Sequence, residues 1–259
     1  MIAAIRKNDY AAGSALLKRM VPFPSIISRI CDQPCQISCQ RSGIGGPVAI
    51  RDLERVCVDN DPKLSVAVMA QPLKHRKIAI IGAGLSGLTA ALELAKKGYQ
   101  VTVFEATGQM GGIVRELPAN ILSPEAIEED LAVFSRLPVE IRYHTTIGSS
   151  AQPSLTSLCN EFDAVYLAIG WQSDDFVPLD VARDADGQMM IDPLTLATSY
   201  PKLFSGGSMR RKRQGRSPIF SISDGKIAAL SIDRLLQVAS LTANREKETG
   251  HEQTAGTID

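Results

Sequence analysis

The sequence predicts an α/β fold: a Rossmann-like domain with a small α-helical segment in front of it. Three observations predict this. The stretch "KIAIIGAGLSGLTAALELAKKGYQVTVFEA" reads as strand, glycine turn, helix and second strand, one βαβ unit. Upstream, "RICDQPCQISCQR" spaces Cys31, Cys35 and Cys39 at four-residue steps in a loop-rich stretch. Downstream, "FDAVYLAIG" and "LFSGG" read as further strands, and "SISDGKIAALSIDRLLQVASL" as a long amphipathic helix.

Taken in order, residues 1–20 read as one or two short helices, with Asp9 placed to cap the second and Pro22 and Pro24 ending them. From 25 to 46 the cysteines lie in a loop-rich segment closed by "SGIGGP", and "AIRDLERVCVD" then forms a short helix carrying Glu54. Residues 60–75 have proline near both ends and no strong period, which marks a connector. The βαβ unit follows, with a strand at Ile78–Ile81, a helix at about Leu85–Lys97 and a strand at about Gln100–Phe104. A helix is predicted at Pro124–Arg136, opening after Ser123 with acidic residues in its first turns. Strands are expected in "VEIRYHT" and "AVYLAIG", and "DADGQMMIDPLTLATSYPKLFSGG" reads as a hairpin-like strand pair and one more strand. The tail from Thr242 is polar. The predicted division is 1–72 helical and cysteine-bearing, 73–241 Rossmann-like and 242–259 tail.

With 44% hydrophobic residues the 259-residue chain can fill a real core. Lys plus Arg and Asp plus Glu both number 28, so no overall field steers it toward nucleic acid or an acidic membrane. The first twenty residues carry Arg6, Lys7, Asp9 and Lys18 among the apolar ones, which does not fit a signal peptide, and no stretch has the length of a spanning helix. Five cysteines, three of them within nine residues, suit metal ligation in a reducing compartment. The expectation is a soluble cytoplasmic protein.

Gly82, Gly84 and Gly87 form G-x-G-x-x-G directly between strand and helix, the context in which the motif binds a dinucleotide. Gly82 permits the tight turn, Gly84 lets a pyrophosphate approach the backbone, and Gly87 lets helix and strand pack closely. With Ala83, Leu85 and Ser86 these residues present free N–H groups at the helix N-terminus. Glu105, followed by Ala106, ends the second strand, where a carboxylate can accept hydrogen bonds from both ribose hydroxyls. The bland alternative is a fold that has lost its ligand. Gly111 and Gly112 in "GQMGGI" fit the turn that lets FAD pass in two-dinucleotide-fold flavoproteins. In those proteins late elements like Ala168–Gly170 and Gly207–Ser208 return to close over the flavin, so FAD is favoured over NAD.

In chain order, "PFPSIISRICDQPCQISCQR", "VAIRDLER", the βαβ stretch, the Gly-Gly pair, "FDAVYLAIG" and "LFSGG...SDGKIAALSIDRLL" resemble the glutamate synthase small (beta) subunit family. That family includes the flavin and iron–sulfur portion of dihydropyrimidine dehydrogenase. The resemblance runs from about residue 5 to residue 238. It implies a Rossmann-like FAD-binding domain preceded by a small α-helical iron–sulfur domain. Such a protein passes electrons between a pyridine nucleotide, FAD and [4Fe–4S] clusters toward a partner active site.

Three departures stand out. Family members insert an NADPH-binding domain with a second glycine motif after the strand resembling "AVYLAIG", and no second G-x-G-x-x-G exists here. The family's Gly-Asp pair beside the ribityl chain appears as Gly207–Ser208. Family members also carry a further cysteine group upstream of the residues matching 1–20. By the resemblance, Cys31 and Cys35 share one cluster with a side-chain oxygen of Glu54 and an upstream cysteine, and Cys39 completes another with three upstream cysteines. The chain would then hold half of two sites. A ferredoxin-like or cysteine-rich iron–sulfur subunit within a larger redox complex would supply the rest. Two alternatives stay open: the cysteines persist as small buried apolar groups without metal, or one cluster forms from these three plus Cys57. Cys159 reads as structural.

"MRRKRQGR", 209–216, could meet a pyrophosphate or an acidic partner, and reads equally well as a solvated loop. His75, His144 and His251 are scattered, Trp171 reads as core packing, and no nucleophile sits with a base, so no catalytic side chain is singled out. The function expected is an FAD- and [4Fe–4S]-containing electron-transfer subunit of a multi-subunit oxidoreductase. The alternatives are a redox-inactive architectural subunit and a stand-alone NAD(P)H-dependent reductase.

Overall fold

A computed structural model of the chain describes residues 1–61, 71–148, 153–170, 180–209 and 217–243. The amino-terminal part is helical. α1 (Ile2–Ile5) leads to α2 (Tyr10–Met20), whose N-terminus is capped as expected: Asp9 Oδ1 accepts the Ala12 N–H at 3.0 Å. Pro24 behaves otherwise than expected. α2 stops at Met20, and Pro24 opens α3 (Pro24–Ile30), in a first-turn position where its missing N–H leaves no bond unmade. The segment from residue 25 is therefore helical up to Cys31, which caps the C-terminus of α3. α4 (Ile50–Asp59) carries Glu54, as predicted.

The βαβ unit follows as β1 (Lys77–Ile81), α5 (Leu85–Lys96) and β2 (Gln100–Phe104). The predicted helix after Ser123 is α6 (Pro124–Leu131), which tightens into a 3-10 turn over Ala132–Arg136. β3 (Val139–Arg142) comes next. α7 (Leu155–Glu161) was not foreseen; Ser154 Oγ accepts the Ser157 N–H at 3.1 Å to start it. β4 (Ala164–Leu167) and β5 (Leu203–Ser205) complete the strands. Between them the expected hairpin shrinks to isolated antiparallel bridges, Arg183 to Met189 around a turn that Asp184 Oδ1 ties to the Asp186 and Gln188 N–H groups, and Ala197 to Phe204 of β5. The last helix, α8 (Pro218–Leu236), begins earlier than its apolar pattern suggested, because Ser217 Oγ accepts the Phe220 N–H at 3.3 Å with Pro218 in the first turn.

The strands form one parallel sheet in the order β3-β2-β1-β4-β5. Both faces of its centre are covered, which is why β1 and β4 read as unbroken apolar runs. Ile78 and Ile80 share one core with Leu88 of α5 and Ala228 and Ile232 of α8, while Ala79 and Ile81 meet Phe104, Leu158, Phe162 and Leu167 in the other. α5 and α8 cross where Gly225 lies so close that a side chain there would strike the Ser86 carbonyl. Phe23, Ile26, Ile27 and Cys31 belong to the same core as Ile78 and Leu88. Burying Ile26 and Ile27 alone stabilises the junction by roughly 3–6 kcal/mol before entropy is counted. Polar ties add direction: Asp130 Oδ2 accepts the Ile26 N–H at 2.7 Å, and Lys226 Nζ donates to the Met20 carbonyl at 2.6 Å. Among the described residues no helix is long and apolar enough to cross a membrane.

Candidate dinucleotide cradle and thiol segment

The glycine turn lies at the carboxyl end of β1, where parallel sheets open their ligand crevice. Gly82 takes φ +101°, and a Cβ on it would strike the Ala168 carbonyl. A Cβ on Gly87 would strike the Gly82 carbonyl, so α5 can sit against β1 only without one. Gly84 is different. Its φ of −80° suits any residue and a Cβ there meets nothing within 4 Å, so the space in front of the turn is open. α5 has no side-chain cap and no acidic residue in its first turn, which leaves the N–H groups around Leu85 and Ser86 and the positive end of the helix to an anion.

Glu105 is buried beneath this turn. Its Oε2 accepts the Ala83 N–H at 2.7 Å, and its Oε1 accepts the Thr107 N–H at 2.8 Å and the Thr107 hydroxyl at 2.9 Å. Internal donors thus take much of the acceptor capacity expected for two ribose hydroxyls. Thr107 was missed by sequence reasoning, although a threonine two residues past a strand-end acid is a local signal for such a bond. Ala106 is exposed beside it. Gly111 N–H donates to the Ala83 carbonyl at 2.8 Å and Gly111 bridges to Gly84, while a Cβ on Gly112 would sit 3.0 Å from Gly84 Cα. The Gly-Gly pair therefore lines the cradle.

The carboxyl-terminal elements return to the same place. Ala168 N–H donates to the Ile81 carbonyl at 2.8 Å, and Gly170 follows with φ +77°. Beyond β5, Gly207 comes so near the turn that a Cβ would lie 3.0 Å from Ser86 Cβ, and Ser208 beside it is half-buried. Asp224 Oδ2 accepts the Gly207 N–H at 2.9 Å, and the Ser86 and Tyr166 hydroxyls are 2.7 Å apart. The open space at Gly84, the uncapped helix and the buried acid fit the diphosphate and ribose of a dinucleotide such as FAD. Trp171, His251 and the basic residues 210–216 lie outside the described residues.

The cysteines occupy the other end of α3. Cys31 is buried, and its Sγ accepts the Gln33 N–H at 3.3 Å. Burial pushes its thiol up; the Gln33 N–H opposes this, and the nearby negative charges of Glu54, Asp32 and Cys35 reinforce it. Cys35 is exposed. Cys39 is half-buried and its thiol is pulled down, chiefly by the backbone N–H groups of Val48 and Arg41. Glu54 is half-buried, and desolvation raises its carboxyl above the ordinary range. Cys35 and Glu54 are thus both near enough to Cys31 to act on its thiol. Even so, among the described residues no three His, Cys, Asp or Glu side chains are gathered to hold a metal ion. The donors suit iron by softness but make a partial set. Cys57 is fully buried against α2, where a Cβ on Gly13 would lie 2.6 Å from its Sγ. Cys159 is in the second core, and burial pushes its thiol up to about 11.

Comparison with known proteins gives two matched segments. Residues 1–65 match the family described as dihydropyrimidine dehydrogenase domain II, 4Fe-4S cluster, and residues 80–162 the NAD(P)-binding Rossmann-like domain. The NADPH-Fe(3+) oxidoreductase subunit beta of Geobacter sulfurreducens is 33% identical over 174 residues, 65% of this chain and 26% of that protein. The NAD-dependent dihydropyrimidine dehydrogenase subunit PreT homolog of Salmonella typhi is 30% identical over 208 residues, 73% of this chain and 50% of that protein. The glutamate synthase [NADH] of Schizosaccharomyces pombe is 30% identical over 171 residues, 64% of this chain and 8% of that protein. The chain thus spans half or less of the length of these relatives.

Proposed function

Because the chain belongs to the glutamate synthase small (beta) subunit and dihydropyrimidine dehydrogenase flavin and iron–sulfur family, we propose that it is an electron-relay subunit of a larger oxidoreductase. It binds FAD along the turn Gly82–Gly87 and contributes ligands to [4Fe–4S] clusters. The observation that carries this reading is the shared core. α3, which ends at Cys31, packs on α6 and α8 within the same hydrophobic core that holds β1 and α5, the elements that carry the glycine turn, so Cys31 and the cradle rest on one core. Relay between two cofactors needs that fixed relation. FAD would exchange electron pairs and the clusters single electrons, and the chain's own residues supply binding and orientation. The N–H groups at the start of α5 would hold the diphosphate, and Glu105, with the acceptor capacity left by Ala83 and Thr107, would meet the ribose. Gly111 and Gly112 leave room beside the turn, and Ala168, Gly170, Gly207 and Ser208 form the opposing wall. Cys31, Cys35 and Glu54 contribute to one cluster and Cys39 to another.

The remaining cluster ligands come from a cysteine-rich, ferredoxin-like polypeptide docked on the helical segment. That similar proteins are named as subunits of larger oxidoreductases supports a partner chain. We place the working boundaries of the two units at 1–72 and 73–241, with 242–259 as a tail.

A second reading has its own support. The segment at 80–162 matches a domain described as NAD(P)-binding, so a nicotinamide dinucleotide in the same cradle is the competitor to FAD. One experiment separates these outcomes: anaerobic reconstitution of the purified chain with FAD, iron and sulfide, followed by visible spectroscopy and metal and flavin analysis, with and without a C-x-x-C-rich partner. Stoichiometric flavin, with cluster content that becomes complete only with the partner, is the expected result. Complete stable clusters on the isolated chain would overturn sharing. A colourless protein would favour an architectural role, and tight NAD(P)H binding without flavin would favour the second reading.

A further inference from the structure

Asp224 lies in the second turn of α8 with no solvent exposure, next to Gly225 and one turn before Ala228 and Ala229, with the apolar Ile232 further along the buried side of the helix. A carboxylate there costs several kcal/mol unless it is well bonded, and the packing of α8 on α5 does not call for a charge. One of its bonds is to the turn after β5. Its Oδ2 accepts the Gly207 N–H at 2.9 Å, a buried bond to a residue held at φ +72°. The neighbouring position is as tight: a Cβ on Gly206 would lie 2.6 Å from the Tyr166 hydroxyl and 3.2 Å from Asp224 Cβ. The Tyr166 hydroxyl is 2.7 Å from Ser86 Oγ, and Ser86 lies within the glycine turn.

Four elements therefore meet in one buried polar junction: α5 through Ser86, β4 through Tyr166, the turn after β5 through Gly206 and Gly207, and α8 through Asp224. All four reach the rim of the cradle. We propose that Asp224 is a positioning residue for the cofactor: acting through Gly207, it sets the turn that lies against Ser86 and so fixes the second wall of the dinucleotide site. This inference rests on the FAD reading and adds a role for a residue outside the glycine motif.

The test titrates FAD into the flavin-free full-length protein, following flavin fluorescence and the visible circular dichroism of the bound flavin. Wild type is compared with Asp224→Asn, Asp224→Ala and Tyr166→Phe, with thermal melts of each apoprotein. Asp224→Ala is expected to weaken FAD binding by about tenfold or more and to change the flavin dichroism. Asp224→Asn, whose amide oxygen can still accept the Gly207 N–H, should weaken it by a smaller factor. Folded variants with lower melting temperatures but wild-type affinity and dichroism would overturn the proposal, since that is the pattern of a purely structural residue. If neither Asp224 variant folds, hydrogen exchange of wild type decides. A Gly207 amide protected without FAD supports the proposal, and one that exchanges freely until FAD is added overturns it. Absence of FAD binding by wild type would instead sink the functional reading itself.

Discussion

Gly84 and Gly87 stand three residues apart in one turn, yet the structure asks opposite things of them. Gly84 has an ordinary φ of −80° and open space where a Cβ would go, whereas a Cβ on Gly87 would enter the Gly82 carbonyl oxygen. Gly84→Ala should therefore leave the apoprotein within about 0.5 kcal/mol of wild type while cutting dinucleotide affinity tenfold or more, since the added methyl stands where the diphosphate must approach. Gly87→Ala should cost the fold itself roughly 2–4 kcal/mol, because α5 would have to lift from β1. Chemical denaturation paired with FAD titration checks both. Equal destabilisation by the two would mean that the space at Gly84 is not a ligand site. The motif and this division of labour were legible in the sequence; what was not is which atoms enforce it, because the Gly82 and Ala168 carbonyls that a Cβ would strike come together only in the fold.

At the level of elements, α3 is tied to α6 through Asp130, which is buried and whose carboxyl is raised to about 7, first by desolvation, against the opposing pull of the Ile26 and Ser25 N–H groups. Glu129 beside it pushes in the raising direction and accepts from Ser25 Oγ at 3.3 Å. The sign follows from proton counting. Between the ordinary carboxylate range and about 7 the folded state binds this proton and the unfolded state does not, so stability falls as pH rises through that window and levels off above it. The distance from the ordinary carboxylate range to about 7 bounds the effect at roughly 4 kcal/mol. Groups held low, such as Asp163 and Asp233, act in the opposite sense but below the ordinary carboxylate range. Stability profiles of wild type and Asp130→Asn between pH 5 and pH 8 should therefore diverge, the variant being flatter; parallel profiles would rule out the buried proton. The elements themselves were legible where apolar periodicity is strong, as in β1, α5 and β2. α7 was missed because "LTSLCNE" shows little apolar period and is held by Leu155 and Leu158 in the second core. Pro24 was misread because proline both ends and opens helices, and only the packing of Ile26 and Ile27 decides which. Asp130 and Asp224 were invisible for the same reason: a carboxylate on a helix looks solvated until the neighbouring element is known.

The whole molecule turns on whether the thiol-bearing helices and the Rossmann-like unit open together. Phe23, Ile26, Ile27 and Cys31 share a core with β1 and α5, which predicts a single cooperative unit. The cysteines are built-in reporters of this. Cys35 is exposed and should react with a thiol reagent at once, and half-buried Cys39 should follow. Cys57, fully buried between α4 and α2, and Cys159, buried in the second core, can react only when their surroundings open. If opening is global, a ligand that binds the cradle slows labelling of both by the same factor, because it stabilises the one closed state. At a free FAD concentration of about 100 times its Kd the factor is about 100, or about 2.7 kcal/mol. If the helical segment frays on its own, FAD should protect Cys159 and leave Cys57 unchanged, although the two are equally inaccessible at rest. Mass spectrometry of labelled peptides, with and without FAD, separates these cases. Equal protection is the outcome the shared core requires, and it is also what the proposed relay would need, since thiols that ligate iron would keep a fixed relation to a bound flavin only if they could not detach from the fold that binds it.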